Sequence, residues 1–282
     1  PRSIVRKYWE RSKFGIGGII LPLLALMLLS SCGNVKEGCM DANASNFDVS
    51  ADKDCCCTYP RMGLQFEYYN GDNLLSQAPL IDVDGDTITL SKLTFYVSGL
   101  HWKDAEDKEI RSDKRLWLFL SPNNFNDSTR SIDDYYLIEA HNARIQDFTF
   151  TRPFSLKSLA LTIGVADSAL ANQPWYMKNA NHPLAGKKDN MYDFDAGQYR
   201  TLRMAYSIKN SQTDPDTVYV DSGQSRFKTT LTLNYHTVLG FDNYIIIRLY
   251  LNRLIEGIRF RTDDPEVISD KLAANLENLL LP

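Results

Sequence analysis

The chain predicts an all-β fold: a two-sheet antiparallel β-sandwich with a C-terminal α-helix. Three observations carry this. Apolar residues recur with period two from Met62 onward, polar turn clusters separate the runs, and the period changes once near the C-terminus. In order, Leu93, Phe95 and Val97 alternate with Thr94, Tyr96 and Ser98, and Leu116, Leu118 and Leu120 alternate with Trp117 and Phe119. Leu159, Leu161, Ile163 and Val165 alternate with Ala160, Thr162 and Gly164, and Leu202, Met204, Tyr206 and Ile208 with Arg203, Ala205 and Ser207. Phe227, Leu231, Leu233 and Tyr235 alternate with Lys228, Thr230, Thr232, Asn234 and His236, and Ile245, Ile247, Leu249 and Leu251 form the last run. Strands with one apolar face each imply two sheets packed face to face. Asp263 and Asp264 before Pro265 and Glu266 form a helix start signal. Val267, Ile268, Leu272, Leu276, Leu279 and Leu280 then recur at helical spacing, which predicts a helix over 265–280.

Residues 1–31 read as a secretory leader, 32–61 as a Cys-rich spacer and 62–282 as the folded domain. Arg2, Arg6, Lys7, Arg11 and Lys13 precede the apolar segment 14–29, as in a signal peptide. That segment is shorter than the ~20 residues that span a bilayer, and Gly15, Gly17, Gly18 and Pro22 interrupt it. Leu28-Leu29-Ser30-Ser31-Cys32 resembles the lipobox of bacterial lipoproteins, which implies cleavage before Cys32 and acylation of its thiol. Gly33, where an Asp would signal retention in the inner membrane, fits an outer-membrane lipoprotein facing either periplasm or exterior. Loss of the leader takes the net charge from −4 to about −8, which argues against nucleic acid or anionic membrane as a partner.

All five Cys lie between positions 32 and 57. In an oxidising compartment they favour disulfides, whereas a zinc site would need ligand pairs better spaced than Cys55-Cys56-Cys57. The stretch Gly38-Cys39-Met40-Asp41 … Ala44-Ser45-Asn46-Phe47-Asp48 … Cys57-Thr58-Tyr59 resembles a Cys-bounded module found beside secreted bacterial domains. The resemblance implies a Cys39–Cys57 bridge and leaves the pairing of Cys55 and Cys56 open. The module reads as a spacer, with Ca²⁺ binding by its Asp and Asn residues as the alternative.

Catalytic machinery is not visible, and no catalytic residue is assigned. There is no Gly-x-Ser-x-Gly elbow, no Cys in the folded region and no His-Glu-x-x-His spacing among His101, His141, His182 and His236. Asp133-Asp134 reads as a solvated turn, and Asp82-Val83-Asp84-Gly85-Asp86 as a hairpin turn rather than a calcium loop.

Five segments resemble, in order, the MbnP-like copper-binding family. They are Leu90–Leu100, Leu161–Asp167, His182-Pro183-Leu184 with Met191-Tyr192 and Gly197-Gln198-Tyr199, Asn234–Gly240, and Asp264-Pro265-Glu266 … Ala273-Ala274-Asn275. Membership implies an extracytoplasmic β-sandwich that in some members binds copper through His and an oxidised tryptophan made by a partner di-haem peroxidase. Asp193 and Asp195 stand at the two Trp positions of the family's Met-Tyr-Trp-x-Trp segment, which puts that ligand in doubt here. Only His236 falls on a recognisable family His. The metal candidates are therefore His236 and His182, with Asp193, Asp195 and His101 behind them; imidazole suits copper, while carboxylates favour harder ions. The alternative is a non-metal envelope scaffold or a carbohydrate- or peptide-binding lipoprotein, with Trp175 and Tyr176 as ligand contacts.

Overall fold

The computed structural model describes residues 35–211, 215–221, 223 and 225–280. The leader (1–31) and Cys32 lie outside the described residues. The chain divides into a small N-terminal unit and a large one that begins in earnest at Tyr59.

In the small unit, β1 (Glu37–Gly38) pairs in parallel with β2 (Lys53–Asp54). A Cys39–Cys57 disulfide closes the loop, with Cα atoms 4.8 Å apart, and Cys55 is joined to Cys56. The acidic side chains left open to Ca²⁺ have internal partners. Asp48 pairs with Lys36 at 2.8 Å and accepts from Ser50, so its carboxyl is held well below the usual range, with the Lys36 hydrogen bond as the largest cause. Asp52 accepts the Lys36 amide and Asp54 the Met40 amide.

The large unit contains β3 (Arg61–Asn70), β4 (Asn73–Leu74), β5 (Leu80–Ile81), β6 (Thr87–Asp104), β7 (Glu109–Ile110), β8 (Arg115–Phe119) and β9 (Ser128–Ile132). It continues with β10 (Tyr136–Ile138), β11 (Arg144–Thr149), β12 (Ser155–Ile163), β13 (Tyr192–Asp193), β14 (Gln198–Ile208), β15 (Asp216–Asp221), β16 (Phe227–His236) and β17 (Asn243–Tyr250). The larger sheet runs β13-β14-β6-β12-β16, with β15 on β14 and β5, β7 and β10 on β6. The smaller runs β11-β3-β17 with β4 on β3, and β8 and β9 form a separate hairpin. The β-sandwich is as the sequence predicts, and its pairing is antiparallel throughout the larger sheet. In the smaller sheet, β17 runs parallel to β3 from Asn243↔Met62 to Tyr250↔Tyr69. Gly63 makes the β3–β11 approach possible, since a Cβ there would lie 1.9 Å from the Ile145 carbonyl oxygen.

The main core lies between the sheets, where Phe66 of β3 meets Phe95 of β6 edge-to-face with centroids 5.8 Å apart. Trp102, adjacent to His101 on β6, is fully buried and donates its indole N–H to Asp147 at 2.8 Å. The polar face assigned to residues 94, 96 and 98 is also covered, for every residue from Leu93 to Ser98 is buried. A second core explains this: Tyr96 packs with Leu116, Leu118, Tyr135, Leu184, Met191 and Tyr199 on the other side of the sheet. The excursion 165–191, built of 3-10 turns, supplies that cover.

Two turn assignments have different outcomes. Asp82 does organise a hairpin turn, accepting from the amides of Asp84 and Asp86 while its second oxygen takes the Phe260 amide. Asp134 is not solvated: it is 6% exposed and accepts the Leu100 amide at 3.0 Å, beside the bulge at Gly99. Burial, then the charge of Asp147, raises its pKa to about 6.

The C-terminal α-helix spans Pro265–Asn275, shorter than 265–280, because Leu276–Asn278 tighten into a 3-10 turn. Asp264 occupies the N-cap without a side-chain capping bond, and Asp263 instead takes the Arg259 amide and the Lys271 ammonium. Asn275 donates to the carbonyls of Leu254 and Glu256, tying the helix to the short helix Leu251–Leu254.

Candidate functional site

The four histidines have separate local partners. His236 is exposed at the end of β16, with Nδ1 3.0 Å from Ser155 Oγ. His182 caps the turn Pro183–Ala185: Nδ1 accepts the Leu184 N–H at 3.1 Å, which leaves Nε2 to donate to Asp133 at 3.0 Å. Both ring nitrogens of His182 are thus engaged. His101 meets Glu109 at 2.9 Å, and His141 accepts the Tyr68 amide at 2.9 Å.

The carboxylates at the family's Trp positions organise a turn. Asp193 accepts from the amides of Asp195 and Ala196 and pairs with Arg200 at 2.7 Å. These contacts, the Ala196 amide foremost, hold its pKa below the ordinary value. Asp195 is exposed. Hence the structure does not bring His236, His182, Asp193, Asp195 and His101 together. Among the described residues, the one set of three His, Cys, Asp or Glu side chains with ligand atoms within 4.8 Å is Cys39, Asp54 and Cys57, and its sulfurs bond each other.

What does come together is a ridge of aromatic rings. Tyr96 and Tyr199 meet edge-to-face at 5.9 Å in the second core, and Tyr199 meets Tyr192 at 4.8 Å. From Tyr192 the rings pass outward to Phe194 at 5.0 Å and to Trp175 at 6.4 Å. Trp175 continues to Tyr176, which touches Phe125 at 5.6 Å. Trp175, Phe125 and Phe194 are 47%, 53% and 58% exposed, and Phe194, the middle position between the two family Trp sites, emerges where its neighbours Asp193 and Asp195 turn the chain.

Buried hydrogen bonds fix the base of the ridge. Tyr96 donates to the Pro183 carbonyl at 2.8 Å and Tyr199 to the Leu184 carbonyl at 2.7 Å. Burial pushes both hydroxyls far up in pKa, so they stay protonated donors. The fully buried Asn172 donates to the Tyr199 hydroxyl and accepts the Phe119 amide, linking the excursion to β8. Tyr176 donates to the Pro122 carbonyl. Gly186 adopts φ +65°, and a Cβ there would lie 2.4 Å from Tyr192 Cβ, so the turn and the ring require glycine. The arrangement offers rigid ring faces to a ligand without a nucleophile–base pair. The sequence offers Trp175 and Tyr176 as candidate ligand contacts and both lie on the ridge; it does not offer Phe125 and Phe194, although an aromatic within Asn-Asn-Phe-Asn or Asp-Phe-Asp is a usable signal.

Fold and site define a helix-closed β-sandwich with a Cys-free body and an aromatic edge. The profile of the MbnP family matches residues 59–279, and the chain belongs to that family. A similar solved structure is MbnP from Methylosinus trichosporium, with 11% sequence identity and a TM-score of 0.40; the alignment covers 66% of this chain and 81% of that one. No curated protein matches. Among the described residues, no helix is long and apolar enough to cross a membrane.

Proposed function

We propose that this protein is a lipid-anchored, extracytoplasmic, non-catalytic member of the MbnP family that binds a neutral glycan on its aromatic ridge. The observation that carries the reading is the line of rings from buried Tyr199 to exposed Trp175, Phe125 and Phe194. A pyranose offers a C–H face to such rings and hydroxyls to nearby amides. The loops that carry the rings also carry Asn123, Asn124, Asn126, Asn179 and Asn181. The net charge of about −8 that remains once the leader is lost favours an uncharged ligand over an anionic one. The lipobox and Cys32 support the anchor. A glycan array probed with the full chain should give hits that Trp175→Ala removes. Hits unaffected by Trp175→Ala, or none at all, overturn the reading.

The family match favours a second reading, copper binding through His236 and His182 with a di-haem peroxidase-type partner. His182 would first have to release the Leu184 N–H or Asp133. Equilibrium dialysis of the full chain against copper and zinc decides between them. A stoichiometric ion lost in His236→Ala establishes the second reading, and metal uptake unchanged by that substitution removes it.

A further inference from the structure

We propose that β16 is a two-fold pairing edge, through which a second copy of this chain extends the larger sheet. β16 has ten residues and, among the described residues, pairs with β12 alone. Its register with β12 is unbroken from Phe227↔Ile163 to Thr232↔Ser158, so this stretch presents a straight row of outward amides and carbonyls. Its residues alternate between half-buried and exposed along the whole strand. Phe227, Leu231 and Leu233 pack on the main core but are left partly open on their outer flank.

The usual protections of an edge are missing over 227–232. There is no Pro, and the single charge, Lys228, is paired with Asp167, which also holds Arg226 at 2.6 Å. The bulge in the β12 pairing falls beyond this stretch, towards Leu233 and Asn234.

Charge and register select the occupant. After loss of the leader the chain carries a net charge of about −8, whereas this edge, with Arg226 and Lys228 paired to Asp167, is neutral to basic, so two copies meet here without acidic repulsion. An antiparallel arrangement with its axis at Thr230 keeps the basic Arg226–Lys228 ends apart; a parallel one would set them side by side. In that register Phe227 faces Leu233 of the second copy and Thr229 faces Leu231, continuing the half-open core row. On the outer face, Lys228 faces Thr232 and Thr230 meets its own counterpart. Like charges are never opposite: Lys228 faces the neutral Thr232, and the remaining pairs join apolar or threonine side chains.

The full chain in detergent, followed by sedimentation over a wide concentration range, should reach twice the 32.1 kDa protein mass of one copy. Thr230 is exposed, so Thr230→Lys and Thr230→Glu should each keep the wild-type melting temperature while losing the doubled mass. Mixing the two variants should restore it, because Lys then faces Glu across the axis. A wild-type protein that stays at single mass overturns the proposal, and so does a Thr230→Lys variant that doubles like the wild type. These outcomes do not depend on glycan binding, which Trp175→Ala tests separately.

Discussion

Asp134→Asn should remove a pH dependence that buried acids impose on the fold. Asp134 is 6% exposed, accepts the Leu100 amide, and lies near Asp147, which is 1% exposed and bonded to Trp102 and Tyr136. Its pKa rises from 3.8 to about 6 on folding, with burial as the largest cause and Asp147 next; burial also raises Asp147. The folded state therefore binds more protons than the unfolded one between these values. Stability must fall as pH rises through that window, and the cost is fully present above the folded pKa. A shift of about two units corresponds to roughly 3 kcal/mol at most. Asn keeps an acceptor for the Leu100 amide but carries no charge. Denaturant unfolding at intervals across that window should show the wild type losing stability towards neutral pH. The Asn variant should be flatter by up to about 3 kcal/mol, the whole contribution of the Asp134 shift. Parallel curves for the two proteins, or a wild type that gains stability relative to the variant as pH rises, would refute the reasoning.

Other substitutions test separate joints of the fold. Asn275→Ala removes both bonds to the Leu254 and Glu256 carbonyls and should cost about 1–3 kcal/mol by denaturant unfolding. Trp102→Phe strands an Asp147 oxygen in the core and should cost about 2–4 kcal/mol, with a thermal melt lowered accordingly. Gly63→Ala drives a Cβ into the Ile145 carbonyl, so the expected outcome is loss of soluble, folded protein on expression. His182→Ala removes a turn cap and a partner of Asp133; a loss of about 1 kcal/mol with unchanged metal content marks it as structural.

Strand positions were legible wherever water and core lie on opposite faces. β16 alternates as its sequence does, because it is an edge strand with one solvated side. β6 does not, since Thr94, Tyr96 and Ser98 read as a polar face yet are covered by a segment far along the chain. The excursion 165–191 has neither a period of two nor a helical period, so its covering role was invisible. The same holds for the parallel β3–β17 pair, whose partners are separated by most of the domain. Asp134 resembled its half-buried neighbour Asp133, which pairs with His182, because acidity alone does not reveal which carboxylate a bulge amide will hold. His236 is a candidate because it falls on a family His and His182 because it stands near Asp193 and Asp195 in the chain, but position along the chain gives no information on convergence. In the fold each histidine meets its own neighbour.

The most direct test of the account compares Trp175→Ala with His236→Ala in capture of one array-identified glycan by the full chain. Loss of capture in the Trp175 variant alone, with His236→Ala binding as the wild type does, is the expected result. Retention by Trp175→Ala together with loss in His236→Ala would contradict the account and move the functional centre from the rings to the histidine.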